Sequence, residues 1–546
     1  MPALVLFTFG LALRLLFVWA TPDGGVGWHA GFAGDAGEWQ AAAATAAHWD
    51  AMSPDEQRVL LLPLRPPAMP WLVSLLWDGS AADVGLVRHL FLGLGAAVAP
   101  LVWWLLRPHL APRVAFAAAA WCAASSNLLL LGSGLHVETL YLTLVLIALL
   151  VQQRLGASVA IGIGWGALHG ALCLVRAEHG LTFAALLLLA KFSGAAWRSL
   201  LLGTLAATAV VAPWQLVANA RIDAFNANAP HGPPPLPAPP IPWDDAAIAA
   251  VRATPPFQHV PLFRFVSDTV RRRGGTRVRV GDLDVVREAY GCFPEPLPHA
   301  LVALYGGLNF FLGNTPEADA GFSRAALDRP PPLVGGAARF PPPAMMAPPA
   351  GKFAFEYPPH LDAVVHGTSR GFAEIASAPG AAAGRAARKL WYAMEGASGG
   401  IGGHALPIGL SGVRRQVDFV TATGAWATAW RVLVLAAAAA GWWSLRLVRA
   451  LWPLLAFAAT KLLVVAAVFG YARHGAWCVP VVAVGLAALV APRLPSRRWL
   501  APALLGAVLV LEVVRCLLGV AVHADGGAAN APLPPQDYRV RQLEFR

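Results

Sequence analysis

The sequence predicts an all-α protein that crosses a membrane several times. The chain has 546 residues, of which 57% are hydrophobic and only 13% are charged, whereas a soluble domain carries about 25% charged residues. Its mean hydropathy is +0.56. Apolar runs of about 17 to 22 residues recur at both ends of the chain, long enough to cross the hydrocarbon core of a bilayer. We therefore expect a polytopic membrane protein with about 11 transmembrane helices.

The apolar runs give the expected positions of these helices. We expect spans at 2–20, 84–106, 113–131, 136–152, 157–174, 177–190, 199–217, 425–443, 450–469, 475–491 and 499–520. The first run is interpreted as an uncleaved helix, because Arg14 interrupts it and the Ala-Thr-Pro-Asp-Gly that follows is a poor signal-peptidase site. Segment 69–77 is too short to span and is expected to lie along the membrane interface.

The basic residues predict the orientation of the helices. With the N-terminus in the cytoplasm, every short basic loop falls on the cytoplasmic side, as the positive-inside rule requires. The chain then divides into an N-terminal transmembrane module, 1–217, with a first outer loop at 21–83; a small, mixed, α-rich extracytoplasmic domain with Pro-rich stretches, 218–424; C-terminal transmembrane helices, 425–520; and an extracytoplasmic tail, 521–546. Within the outer domain, apolar residues recur at helical spacing around 360–396.

Charge and cysteine usage argue against a nucleic-acid partner, a zinc site and a disulfide framework. The formal charge of +11 does not indicate a nucleic-acid partner, because much of it is Arg in short loops between apolar runs. The five cysteines are scattered and show no paired spacing, so the sequence supports neither a zinc site nor a disulfide framework.

Several charged residues fall where apolar segments meet the predicted outer face. A charge at a membrane boundary is costly to keep without a partner, so a cluster of charges on one face indicates a site. The residues are Asp35, Glu38, Arg65, Glu138, Arg176, Glu178, Arg473 and His474.

The acidic residues among them have two interpretations each. Asp35 and Glu38 are placed to share one face of a helical turn, where a carboxylate could act as general base. They also fit an ordinary helix start, with Asp35 as N-cap and Glu38 at the third position. Glu138 could also be either a site residue or an ordinary helix start, since the helix dipole alone favours an acid at a helix N-terminus.

The basic residues are equally open to two interpretations. Arg65 precedes a Pro-rich entry to the interface, where it could face an anionic head group or simply snorkel. Arg176 lies in a turn too short to leave the membrane face, so it could clamp a phosphate or pair locally with Glu178. Arg473 and His474 lie in a similar short turn, which could also be a plain loop.

These stretches, in this order, resemble the bacterial branch of the C-type glycosyltransferase (GT-C) superfamily. That branch includes the dolichyl-phosphate-mannose protein mannosyltransferase-like proteins and the lipid A aminoarabinose transferases. The resemblance covers nearly the whole chain. The segments that carry it are Leu11–Leu16 with Arg14, Gly34-Asp35 with Glu38-Trp39, Arg65–Pro70, Glu138–Tyr141, Leu174–Glu178, Pro213-Trp214 with Asn219, Gly307–Asn314, Arg388–Leu390, and Tyr471–His474 with Pro480.

The chain departs from the family pattern at four places. Ala68 replaces a usual Gly, Ala177 a usual Pro, and Ala218 stands where an Arg commonly precedes Asn219. A long Pro-rich insert also follows Asn219. These departures bear on the acceptor and on the fine donor preference more than on the class.

The resemblance implies the GT-C fold and a glycosyl transfer at the outer face of a cell (inner or plasma) membrane. The donor would be a polyprenyl-phosphate-linked sugar, the acceptor a lipid, glycan or protein, and the transfer would invert the anomeric carbon. Asp35 would be the catalytic base, and Glu38 would orient Asp35 or hold a divalent metal. We expect no metal requirement, because arginines alone can neutralise the phosphate.

The remaining site residues follow from the same resemblance. Arg176 and Arg473 would stabilise the charge that builds on the leaving phosphate. Arg65 and His474 complete the expected donor-phosphate set. Supporting roles fall to Glu138, Glu178, Asn309 and Asn314.

A transporter or flippase of a lipid-linked sugar is the alternative function. Such a protein would also keep charges at a membrane face, but it should place polar groups near the bilayer midplane and often shows inverted repeats. Here the acids cluster at one face and no matching halves are evident, which favours the enzyme. An assembly protein without catalysis is a third interpretation, and replacement of Asp35 discriminates it from an enzyme.

Overall fold

The structure, a computed structural model, describes residues 1–20, 63–76, 84–156, 158–227, 239–254, 256, 259–284, 296–318, 323, 325–327, 358–398 and 425–493. These residues form α-helices and short 3₁₀-helices without a β-strand, and one isolated bridge pairs Trp243 with Val278. The all-α prediction is thus confirmed for this part of the chain. The predicted span 499–520 and the tail 521–546 lie outside it.

The helices follow the apolar runs of the sequence. They are α1 Pro2–Ala20, α2 Ala68–Ser74, α3 Val84–Leu106, α4 Pro112–Ala124, α5 Ser126–Gly132, α6 Val137–Gln152, α7 Val159–Val175, α8 His179–Phe192, α9 Trp197–Asn226, α10 Asp245–Arg252, α11 His259–Arg272, α12 Tyr305–Asn314, α13 Pro358–Val365, α14 Gly367–Ser377, α15 Pro379–Ala397, α16 Ala425–Leu445, α17 Trp452–Ala467 and α18 Val479–Val490. Four 3₁₀-helices in the described residues cover Ala325–Leu327, Arg449–Leu451, Ala472–Cys478 and Ala491–Arg493.

Several described helices have the length and composition of membrane spans. Four helical segments qualify: Gly85–Leu106, Trp197–Asn226, Arg449–Ala467 and Ala472–Val490. A fifth qualifies if the bent pair α4 and α5 forms one span. Shorter apolar helices cover Pro2–Leu16, Val137–Gln152, Val159–Val175 and His179–Phe192. This set fits a chain that crosses a membrane several times.

The predicted single span at 113–131 is broken in the structure. Helices α4 and α5 meet at Ser125 with a bend of 56°, and Ser125 has non-helical backbone angles, φ −58° and ψ 121°. Consecutive serines favour such a break, because their hydroxyls compete for backbone groups. The bend places the Asn127 side-chain amide where it donates to the carbonyl oxygens of Ala472, at 3.1 Å, and Gly396, at 3.3 Å.

A buried arginine attaches α1 to this bent pair. Arg14 is fully buried, and its guanidinium donates to the carbonyl oxygens of Gly10, at 2.9 Å, and Leu128, at 3.0 Å. Gly95 and Gly132 leave the space that it occupies, since a Cβ on either would come within 2.6 Å of Arg14 Nε. The Arg that interrupts the first apolar run is therefore a packing contact between helices.

The chain divides into two compact units. Within the described residues, the first comprises 1–20, 67–76, 84–211 except 157, 386–398 and 425–493, and the second comprises 63–66 and the described parts of 212–385. The main apolar core of the first unit is built from α3 to α8 with parts of α17 and α18. The second unit has one core around Phe225 and Phe311 and another around Trp243 and Phe265.

Glycines bring α7 and the start of α9 close together within the first unit. A Cβ on Gly166 would lie 1.8 Å from the carbonyl oxygen of Gly203, and a Cβ on Gly203 would lie 2.8 Å from that of Gly162. Small residues at a helix–helix contact are the usual device for close approach inside a membrane, where packing replaces the hydrophobic effect.

We expect Gly166→Ala to lower the stability of the protein by about 1–3 kcal/mol, the usual cost of overpacking. The added methyl group meets backbone, which has no rotamer by which to yield. Thermal unfolding of the purified protein in detergent measures the effect. Gly164→Ala is the matched control, because a Cβ there has nothing within 4 Å. Equal melting of the two variants would contradict the close contact.

Candidate functional site

Five charged residues of the first unit form a continuous chain of alternating sign. The chain consists of Lys461, Glu178, Arg176, Glu138 and Arg473, in that order, and is called the charge chain below. Its members come from α6, the α7–α8 turn, α17 and the 3₁₀-helix at Ala472–Cys478. Segments that are far apart in the sequence therefore meet at one place.

The contacts of the charge chain alternate between cation and carboxylate. Lys461 Nζ lies 3.3 Å from Glu178 Oε1, and Arg176 Nε donates to the same oxygen. Arg176 Nη1 lies 3.4 Å from Glu138 Oε1, and Arg473 Nε lies 3.9 Å from that oxygen. Since both arginines approach one carboxylate oxygen, they are close neighbours, well within the Debye length of about 10 Å at 0.1 M salt.

Burial of the charge chain is uneven. Glu138, Lys461 and Arg473 are buried, whereas the side chains of Arg176 and Glu178 are 19% and 26% exposed. The α7–α8 turn is therefore the accessible edge of the site. Among the described residues, the charge chain has three cations and two carboxylates, and the cation at its accessible edge is Arg176.

Glu178 has two cationic neighbours. Its Oε1 accepts from Arg176 Nε and lies 3.3 Å from Lys461 Nζ. The local Arg176–Glu178 pair considered from the sequence is therefore present.

The rings of two aromatic side chains, Tyr141 and Trp477, lie against the cationic groups of Lys461 and Arg176. Lys461 Nζ lies 4.1 Å from the ring centroid of Tyr141 and 5.2 Å from that of Trp477. The Arg176 guanidinium carbon lies 4.8 Å from the Trp477 ring centroid and 6.0 Å from that of Tyr141. Aromatic faces attract cations electrostatically, so both cations have a fixed position apart from their carboxylate partners.

The 3₁₀-helix that carries Arg473 is held by close backbone contacts. A Cβ on Gly396 would lie 1.8 Å from the carbonyl oxygen of Ala472, and a Cβ on Gly475 would lie 2.1 Å from that of Ala393. Asn127 bonds to the same turn, as described above. His474 accepts from the backbone N–H of Tyr471 at its Nδ1 and stacks on Trp477 with ring centroids 5.2 Å apart. His474 thus fixes the turn and the aromatic wall.

A buried chain of hydrogen bonds continues behind Tyr141. Tyr141 Oη lies 2.6 Å from Nδ1 of His179, and His179 Nε2 lies 2.7 Å from Nδ1 of His169. All three side chains are fully buried. These contacts connect α6, α8 and α7 and fix the Tyr141 ring beneath Lys461.

The predicted site residues fall into three groups. Glu138, Arg176, Glu178, Arg473 and His474 come together in the first unit, as described above. Arg65, Asn309 and Asn314 belong to the second unit. There Arg65 faces the Tyr305 ring at 6.0 Å, and Asn314 is buried with its side-chain amide on the carbonyl oxygen of Phe310. Asp35 and Glu38 lie outside the described residues.

Sequence reasoning missed Lys461 and gave Tyr141 and Trp477 no role. A signal for Lys461 was available, because it is the one charged residue between 450 and 469, an otherwise apolar run. An ionisable residue inside a span is by default a functional candidate. The contacts of the two aromatic rings with the cations depend on tertiary packing, and no sequence pattern predicts them.

Comparison with known proteins adds no family to this description. No protein-family model matches the chain, and no curated protein matches it. Among the described residues, no group of three or more His, Cys, Asp or Glu side chains is placed to hold a metal ion. The geometry of the charge chain is therefore the basis for a functional proposal.

We expect Glu138→Gln to destabilise the protein by about 3–5 kcal/mol, the usual result of removing one member of a buried ion pair. The reason is that Arg176 and Arg473 would face each other without the carboxylate between them. Thermal unfolding of the purified protein measures this, with the exposed Asp245→Asn in the second unit as control. Wild-type melting of Glu138→Gln would show that the arginines do not depend on this carboxylate.

Proposed function

We propose that this chain is an integral-membrane glycosyltransferase of the GT-C class, which moves a sugar from a polyprenyl-phosphate donor to an acceptor at the outer membrane face. The observation that carries the proposal is that Arg176 and Arg473, the two arginines expected to bind phosphate, approach the same oxygen of Glu138. A cationic group with an accessible edge suits a donor whose leaving group is an anionic lipid phosphate.

The proposed topology has about 11 spans, with the N-terminus in the cytoplasm and the site on the extracytoplasmic side. The positions of three turns support the proposal that the site residues lie on the same side of the membrane. The turns before α6, between α7 and α8, and after α17 are all expected on the outer face. Glu138, Arg176 and Arg473, which lie in or beside these turns, are in contact.

The proposed reaction is a single displacement at the anomeric carbon. The acceptor oxygen forms a bond to that carbon while the bond from the carbon to the phosphate oxygen breaks, with inversion. The acceptor proton passes to the carboxylate of Asp35, and the electron pair leaves with the lipid phosphate. Arg176 and Arg473 stabilise the charge that grows on this phosphate, which lowers the barrier because their positions are set before the reaction.

The charge chain does not determine which sugar is transferred or which acceptor receives it. The cations recognise the phosphate, which is common to all polyprenyl-phosphate donors. Mass spectrometry of the lipids that co-purify with the protein identifies the donor, and this donor is the substrate for the assay below.

We expect Asp35→Asn to reduce sugar transfer by at least about a hundredfold, the lower scale for the loss of a general base. Glu38→Gln should cost less, because it removes an orienting group only. Transfer is measured with the co-purifying donor in lipid nanodiscs, with Asp245→Asn as control. Donor binding by Asp35→Asn should stay near that of the wild type. Near-normal transfer by Asp35→Asn would remove the proposed base and leave the helix-capping interpretation.

A further inference from the structure

The carboxylate of Glu178 lies where an anion would bind. Its Oε1 is contacted by Arg176 Nε and by Lys461 Nζ. The Glu178 side chain is 26% exposed, whereas that of Lys461 is only 1% exposed. Lys461 is thus covered at the point where the site opens, and the group that covers it carries a negative charge.

The two cations do not depend on Glu178 for their positions. Lys461 lies against the faces of Tyr141 and Trp477, and Arg176 lies against Trp477 and contacts Glu138. If the Glu178 carboxylate moved away, both cations would still point to the vacated position. An oxygen of another anion at that position would meet the same two donors.

Glu178 itself is held less firmly than the cations. It precedes α8 as the N-cap residue, and its side chain makes no capping hydrogen bond. Among the described residues, the side chain of Glu178 pairs with Arg176 and Lys461. Exchange of these two contacts for contacts with a ligand anion would therefore leave the start of α8 unchanged.

We propose that Lys461 is a binding residue for the donor phosphate and that the Glu178 carboxylate holds its place in the ligand-free protein. This inference rests on the proposed function. An uncompensated ammonium group inside a bundle of apolar helices is costly, so a resident carboxylate stabilises the empty site. When the donor binds, a phosphate oxygen takes the position of Glu178 Oε1 and contacts Arg176 and Lys461 together. No covalent bond changes in this exchange.

Loss of the acidic side chain of Glu178 should strengthen the binding of a phosphate. Glu178→Gln keeps the shape of the side chain but removes the charge that competes with the phosphate. We expect its affinity for undecaprenyl phosphate, measured in nanodiscs by microscale thermophoresis, to rise by about tenfold, since charge-assisted hydrogen bonds are roughly twice as strong as neutral ones. Asp245→Asn, which removes a negative charge in the second unit, should leave the affinity unchanged.

Lysine variants test the second half of the proposal. Lys461→Met retains the length of the side chain, suits the apolar run and should lower the affinity by about tenfold. Lys191→Met is the control, since Lys191 is exposed and also lies over a tryptophan, with Nζ 5.0 Å from the Trp197 ring. In the variant that combines Lys461→Met with Glu178→Gln, the Glu178→Gln change should raise the affinity by less than it does in the wild-type background. Melting of each variant without ligand verifies that it is folded.

The possible results separate this inference from the proposed function. Tighter binding by Glu178→Gln together with weaker binding by Lys461→Met supports the inference. Equal or weaker binding by Glu178→Gln, with normal binding by the wild type, overturns it and makes Glu178 a group that orients Arg176. An unchanged affinity of Lys461→Met overturns the role of the lysine. No binding by the wild type overturns the inference and the proposed function together.

Discussion

The neutralisation of charge inside an apolar helical bundle is the constraint on which the rest of this structure depends. An isolated ion in such an environment costs several kcal/mol, and the cost is reduced only by partners at short range. The charge chain meets this requirement by alternation, because each carboxylate lies between two cations. Among the described residues, the two ends of the charge chain are cations, Lys461 and Arg473.

The backbone around the site follows from this requirement. Arg473 reaches Glu138 because a 3₁₀-helix, rather than a longer loop, connects α17 with α18, and glycines at 396 and 475 allow this turn to approach its neighbours. The bend at Ser125 supplies a further contact through Asn127. Packed glycines and the Asn127 side-chain nitrogen, which donates to the turn, fix its backbone. Arg473 is therefore positioned before any ligand arrives, as electrostatic stabilisation of a charge requires.

The sequence was informative about the helices and less so about their interruptions. The limits of α1 and α3 agree with their apolar runs at both ends, and α6 begins one residue after the predicted start, because the length of an apolar run and the charged residues beside it determine where a span ends. The break at Ser125 was not predicted, because consecutive serines favour a break but do not by themselves determine one. Its position depends on the partners that Asn127 finds in the folded chain.

The site shows the same division between local and tertiary information. Short turns beside apolar runs predict that Arg176 and Arg473 lie at the same membrane face, and in the structure both approach one oxygen of Glu138. Which carboxylate they share depends on how α6, α7 and the 3₁₀-helix pack, and the burial of Lys461 under Glu178 depends on Tyr141 and Trp477 as well. Residues far apart in the chain define these contacts, and no local pattern records them.

We propose that the charge chain is the phosphate site of a lipid-linked donor. An electron cryo-microscopy structure of the protein in nanodiscs with undecaprenyl phosphate tests it most directly. We expect phosphate density at the α7–α8 turn, in contact with Arg176. Density for the lipid phosphate at another place, with the charge chain unchanged from the ligand-free arrangement, would show that the charge chain is not the phosphate site.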